Sequence, residues 1–349
     1  MDFAFGERQL EFRAQLRALT DKTCTAAEIR ESWVSETGWS PVRWAALAEM
    51  GVVGLTVPET AGGLGLGLVD LVLLLEEAGR AGLPEPLLET TALGVPVLVD
   101  APGERADALR AEWLPRTAAG EAVLAVGTEA MAAVPGAGSA DLLILERGGD
   151  LHAVPGEATT RVARRALDGA RRPAVVSWEP SPGSLIVSGD AAAVLVAALE
   201  DRAAMGSGAV LLGVADRLIT MTAAYAVDRV QFGVPIGSFQ AVKHHLADAL
   251  IRLEFARPAV YRAAWSLDAG DPGAGCHASM AKALASDAAT GAARVALQVH
   301  GAIGYTWEHD SHLWMKKAWA LAAAWGDAGF HRARVLARLL DGVERGEAT

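Results

Sequence analysis

Three stretches of this sequence carry side chains whose types and spacing suit chemistry. The first, DRVQFGVPIGSFQAVKHHLAD, runs from Asp228 to Asp248 and sets Arg229, Gln231, Phe232 and Gly233 together, with Gln240 and Lys243 following. An arginine can give a diphosphate two parallel charge-assisted hydrogen bonds. Alone, Arg229 reads equally as one half of a surface ion pair. Phe232 can stack on a planar ring or simply pack. The second stretch, QVHGAIGYT, starts at Gln298 and contains Gly301, Ala302 and Gly304. Glycine lets backbone approach a ligand where a Cβ would intrude. Gln231, Gln240 and Gln298 each bring donors and acceptors together. The third stretch, AAWGDAGFHR, places Asp327 beside the small Gly326. A desolvated carboxylate can take a weakly acidic proton, but Asp327 ahead of AGFHRARVLARLL is also a good helix N-cap. Glu308, His309 and Asp310 form a further polar cluster, read as a solvated turn and helix start ahead of a catalytic group.

These residues need elements to hold them. Residues 1–118 predict a helical domain. Phe3, Phe5, Leu10, Phe12, Leu16 and Leu19 recur at a helical period, and WAALAEMGVVGL and VDLVLLLEEAGRAG continue it. Gly79 and Gly82 read as signals for the end of the latter helix, with Pro84 and Pro86 breaking it. Residues 119–190 predict a small β domain, with short apolar runs AVLAVGT, DLLILE, LHAVP, PAVVSW and SLIVSG between turn residues. Gly148-Gly149-Asp150 reads as a hairpin turn. Residues 191–349 return to long Ala/Leu-rich helices, broken at 232–238, 270–275 and 301–305. The fold class is therefore mainly α with a small β domain. The α–β–α order is unlike a βαβ repeat and disfavours a Rossmann fold.

Bulk properties narrow the partners. The chain has 349 residues, 52% hydrophobic and 21% charged, enough for two or three structural units. Its net charge of −11 argues against a nucleic-acid partner. Cys24 and Cys276 lie far apart, with no metal-ligand spacing near them, so neither a disulfide nor a metal site is expected. The charged N-terminus shows no signal peptide, and LGLGLVDLVLLLEEAG is too short and polar to span a bilayer. The expectation is a cytoplasmic protein with no membrane partner.

The first stretch resembles the acyl-CoA dehydrogenase motif R-x-x-F-G-x-x-I-x-x-x-Q. The second resembles that family's Q-x-x-G-G-x-G. The order and spacing of the two match, and GVVGLTVPETAGGLGLGLVDLVLLLEEAGR is similar to the family's N-terminal helix–loop–helix. The resemblance implies an N-terminal helical domain, a barrel-like middle β domain and a C-terminal four-helix bundle. It implies FAD as cofactor, an acyl-CoA or other acyl thioester as substrate in fatty acid metabolism, and reoxidation by an electron-transfer flavoprotein. It also implies a dimer-based oligomer. Arg229, Gln231, Phe232, Gly233, Gln240, Gln298, Gly301, Ala302 and Gly304 would then hold the adenosine diphosphate end of a neighbouring subunit's flavin.

Two departures stand against the resemblance. The family's catalytic glutamate, counted forward from Gln298, falls on Trp325, two residues before Asp327. The alternative position, counted back from Arg229, falls on Ala203, beside Asp201 and Arg202. Asp327 is thus the candidate base. In the β domain, Thr128-Glu129-Ala130 resembles the start of the flavin-lining region, but the W-x-x-G-x-K hairpin that usually follows is missing. Leu167-Asp168-Gly169-Ala170-Arg171-Arg172 fits the family again. Three functions follow: an FAD-dependent acyl-CoA dehydrogenase; a non-catalytic partner in a heterotetramer, as in bacterial members acting on steroid side chains; or a redox-inactive acyl-thioester-binding scaffold.

Overall fold

The computed structural model describes residues 4–344. Its packing divides into two compact units, residues 1–26, 72–83 and 204–349, and residues 27–71 and 84–203. Six helices precede the strands: α1 (Glu7–Thr23), α2 (Ala26–Val34), α3 (Pro41–Glu49), α4 (Leu68–Ala81), α5 (Val95–Asp100) and α6 (Glu104–Ala118). Phe3, placed in the first helix by periodicity, lies outside the described residues. A π-helical turn at Leu88–Gly94 leads into α5.

All five apolar runs read from the sequence become strands: β1 (Leu124–Gly127), β2 (Leu142–Arg147), β3 (Asp150–Pro155), β5 (Ala174–Ser177) and β6 (Leu185–Val187). A sixth, β4 (Thr160–Ala163), was not expected. Its residues are mostly exposed and carry no alternation to read. The main sheet runs β1-β2-β3-β6, with β1 and β2 parallel, and β4 pairs with β5 in a separate ladder. Gly148 and Gly149, with φ of 62° and 79°, close the expected β2–β3 hairpin, while Asp150, also read as part of the turn, opens β3 opposite Arg147. Ala125, Leu143, Leu145 and Val154 form the core of this domain.

The remaining helices are α7 (Gly189–Asp228), α8 (Gln240–Asp268), α9 (Ala274–His300), α10 (Ser311–Ala323) and α11 (Ala328–Glu344). Two-residue strands β7 (Val230–Gln231) and β8 (Val234–Pro235) separate α7 from α8. The 40-residue α7 is long and apolar enough to cross a bilayer, a feature the sequence reading passed over. Half of its most apolar window is buried within the fold, as in a core helix. Two glycines set how closely it lies to α4. A Cβ on Gly79 would fall 1.9 Å from the Val210 carbonyl oxygen, and one on Gly213 1.8 Å from that of Glu76. Gly79 is thus a packing glycine, while Gly82, with φ of 70°, is the residue that ends α4.

Candidate functional site

At the end of α7 the chain reverses within a few residues. Val230 pairs with Pro235 and Gln231 with Val234, which leaves Phe232 and Gly233 as a two-residue turn. Both take positive φ, 55° and 81°, as a type I′ hairpin turn requires. Gly233 is explained by backbone alone, since a Cβ there would meet nothing within 4 Å. Phe232 has no such freedom, and the left-handed region costs it about 1–2 kcal/mol. Its ring is 93% exposed, with Phe239 edge-on at 6.2 Å. The turn presents a flat apolar face outward.

The flanking residues are held by main chain. The Arg229 amide donates to the Tyr225 carbonyl and the Arg229 carbonyl accepts from Ile236, both at 2.8 Å. The Arg229 side chain is exposed, as are Gln231 and Gln240. Gln231 folds onto its own strand, its Nε2 donating to the Val230 carbonyl at 2.6 Å. Gly237 lets the returning turn lie on α7, where a Cβ would come within 2.9 Å of the Ala226 carbonyl oxygen.

The second segment begins with Gln298, exposed on the last turn of α9. Gly301 breaks the helix with φ 61° and ψ −136°, a combination open essentially to glycine alone. A Cβ there would also meet nothing within 4 Å. Ala302 is exposed in the short helical turn Gly301–Tyr305. Gly304 is buried, and a Cβ would press on His300 Cβ at 3.1 Å. The two segments meet through rings. Tyr225, four residues before Arg229, stacks on His300 with centroids 4.4 Å apart and planes 28° apart. His309 lies 4.2 Å from His300 and 5.9 Å from Tyr225. Neither His300 nor Tyr225 was singled out from the sequence. A histidine beside the helix-breaking Gly301 was the available signal.

The base position looks different. Trp325 and Gly326 both take positive φ, 56° and 86°, between α10 and α11. Asp327 caps α11, its exposed carboxylate accepting from the Phe330 amide at 2.8 Å. The loop is tied from beneath. Lys282, fully buried on α9, donates to the carbonyls of Leu321, Ala322 and Gly326 at 3.0–3.1 Å. His331 Nε2 donates to the Trp325 carbonyl at 2.8 Å, and its Nδ1 lies 3.2 Å from the Ser279 hydroxyl. Burial pushes the His331 pKa down to about 4, so the ring is neutral at ordinary pH. A lone lysine on the Ala-rich face of α9 was the sequence signal for this network, and it was missed. At the alternative base position Ala203 is fully buried, and the neighbouring Arg202 pairs with Asp100 at 2.5 Å. Glu308, His309 and Asp310 form the turn before α10, as expected. The Ser311 amide donates to His309 Nδ1 at 3.2 Å.

In the β domain, residues 128–141 lead from β1 directly to the parallel β2. Among the described residues this loop holds no strand, only the isolated bridge Val134–Ala174. Val134 folds back over Gly127, where a Cβ would meet its Cγ2 at 2.5 Å. A small cavity borders the loop, lined in part by Thr128, Met131, Val134 and Trp178.

A dinucleotide flavin requires a cation for its diphosphate, approachable backbone and a flat apolar face. Arg229, the open glycines 233 and 301, and Phe232 are groups of these kinds within two adjoining segments. With the α–β–α chain order they are compatible with a helical flavoprotein dehydrogenase. The acyl-CoA dehydrogenase N-terminal domain matches residues 6–121 and the acyl-CoA dehydrogenase C-terminal domain residues 194–340. Acyl-CoA dehydrogenase IpdE2 of Mycolicibacterium smegmatis is 34% identical over 313 residues, 89% of this chain and 92% of that one. Among solved structures, the Tcur3481-Tcur3483 steroid ACAD superposes with a TM-score of 0.87 at 25% identity, covering 97% of this chain and 99% of that one. The ChsE4-ChsE5 complex from Mycobacterium tuberculosis gives a TM-score of 0.85 at 25% identity, with the same coverage. The chain belongs to the acyl-CoA dehydrogenase family. It is an FAD-dependent oxidoreductase of the acyl-CoA dehydrogenase type, with the helical fold and small β domain of that family.

Proposed function

We propose that this chain works in a hetero-oligomer with a second dehydrogenase-like chain and supplies the half-site that holds the adenosine diphosphate end of the partner's FAD. Bound FAD supplies the hydride acceptor for α,β-dehydrogenation of an acyl thioester. Arg229 pairs with the diphosphate, Phe232 lies against the adenine, and Gln231, Gln240 and Gln298 meet polar edges. Gly233, Gly301, Ala302 and Gly304 keep the backbone approachable.

The observation that carries this reading is the exposed, left-handed Phe232 at the tip of its hairpin. It has no use within this chain and suits a surface completed by another. The heteromeric reading is supported by the base position. Trp325 stands where the family's glutamate is counted, and the nearest carboxylate, Asp327, already caps a helix. The steroid ACAD and the ChsE4-ChsE5 complex, each pairing two named chains, are consistent with it. Asp327 remains the candidate base should the chain work alone. The expected electron acceptor is an electron-transfer flavoprotein.

The test is co-purification. The chain expressed alone is expected to be colourless, and the chain co-expressed with a neighbouring dehydrogenase gene to be yellow and active. Arg229→Ala in the co-expressed complex is expected to lower FAD retention. A yellow protein from this chain alone, bleached by an acyl-CoA, refutes the heteromeric reading.

A further inference from the structure

The ring cluster Tyr225–His300–His309 links the two flavin segments of the unit, and none of its members carries a flavin-contact role. Tyr225 sits on the last turns of α7, and its carbonyl receives the Arg229 amide at 2.8 Å. His300 is the last residue of α9 and is 4% exposed. The 4.4 Å stack between them therefore joins the hairpin base to the Gly301–Tyr305 turn. Gly304 also packs close to His300, where a Cβ would come within 3.1 Å of its Cβ. His309 closes the cluster from the turn before α10.

The hydrogen bonds fix which ring nitrogen carries the proton in each neutral imidazole. His300 Nδ1 lies 2.7 Å from the Ala296 carbonyl oxygen, so it is the donor. Nε2 is buried and has no hydrogen-bond partner. In the neutral ring that nitrogen is a bare lone pair, a small penalty. A proton there makes a buried cationic donor without an acceptor, which is far worse. His309 accepts the Ser311 amide through Nδ1.

We propose that Tyr225, His300 and His309 are positioning residues for the flavin half-site, a latch that holds the two segments in register only while both histidines are neutral. This rests on the half-site reading above. Among the described residues, several groups meet the pair. Tyr225 comes from α7, Asp310 and Ser311 flank His309, and each imidazole faces the other. Burial lowers both histidines below the ordinary range. Asp310 opposes this at His309, and the Ala296 carbonyl opposes it at His300. The Tyr225 face would attract a cation on His300. The unpartnered N–H and the neighbouring imidazole outweigh that attraction.

The sign follows from linkage. Both folded-state values lie below the unfolded one, so the closed latch is fully stable above the ordinary histidine range. It weakens as pH falls through the lowered values. Between the ordinary value and the lowered ones, each histidine favours the open form by about tenfold per pH unit. The readout is FAD retained by the flavin-loaded assembly after gel filtration near neutral pH and at about pH 5. Hydrogen–deuterium exchange of residues 229–240 and 298–306 is followed in parallel. In the native protein, exchange is expected to rise in both segments together as FAD is released. His300→Phe with His309→Phe keeps the rings and removes the protons, and is expected to hold both quantities level across that range. His309→Phe alone, a milder change, is expected to reduce the acid response. Identical acid profiles in native and doubly substituted protein overturn the proposal, as does exchange that rises in one segment only. If Arg229→Ala leaves FAD retention unchanged while the exchange pattern holds, the latch stands and the flavin half-site reading fails.

Discussion

Asp327 shows how one side chain can carry two readings that a single experiment separates. Its carboxylate accepts the Phe330 amide and caps α11. Asp327→Ala is expected to cost about 1 kcal/mol of stability, read as a lower melting temperature. Asn caps equally well, so Asp327→Asn should keep the melting temperature. It should also keep turnover in the assembled enzyme if the base lies elsewhere. Loss of turnover in Asp327→Asn alone would return the base to this residue. His331 makes a pH-dependent contribution of definite sign. It is 1% exposed and stays neutral down to about pH 4, whereas the unfolded chain takes up its proton near the ordinary value of 6.5. Between those values the unfolded state binds more protons, so stability is full above about pH 6.5 and falls towards pH 4. The whole shift corresponds to about 3 kcal/mol. Urea midpoints at about pH 7.5 and about pH 5 should diverge in the native protein and draw together in His331→Gln.

At the scale of elements, α4 and α7 lie so close that two positions admit no side chain. Gly213→Ala would place a Cβ 1.8 Å from the Glu76 carbonyl oxygen and 2.5 Å from the Arg80 amide nitrogen, both rigid backbone. Gly208, five residues earlier on the same helix, has nothing nearer than 3.4 Å. Gly213→Ala is expected to destabilise by about 3 kcal/mol or more. Gly208→Ala should be tolerated or mildly stabilising. Melting temperatures of the two variants compare them directly. These glycines also mark how far the sequence could be read. Gly82 and the Gly148-Gly149 turn act through their own φ angles, and local signals found them. Gly79 and Gly213 act through a helix distant in the chain, so no local pattern exposes them. The same holds for Lys282, whose carbonyl partners lie on α10 and the loop after it. β4 escaped notice because its side chains face water and carry no period.

For the whole molecule, motif order carried the family, while completeness of the site had to be judged from geometry. The resemblance of the Arg229 and Gln298 segments said which cofactor to expect. It did not say that Tyr225 and His300 would join those segments by a ring stack, because stacking depends on where α7 and α9 end in space. The base position was legible as a departure at Trp325. That Asp327 is already engaged at a helix N-terminus, and that Lys282 and His331 tie down the loop, became visible only with the fold. The co-purification test belongs at this scale, since it asks whether one chain or two make a flavoprotein.

The outward-facing ring of Phe232 has a consequence in time as well as in space. If the chain works in the hetero-oligomer proposed above, then between leaving the ribosome and meeting its counterpart it carries a sticky aromatic tip and an exposed stretch of α8 with Ile251 and Phe255. Such surfaces recruit chaperones, proteases and one another. A subunit of this kind survives in proportion to the supply of its counterpart. Under that proposal its cellular level would be set by balanced synthesis of two genes, with the surplus of either one cleared.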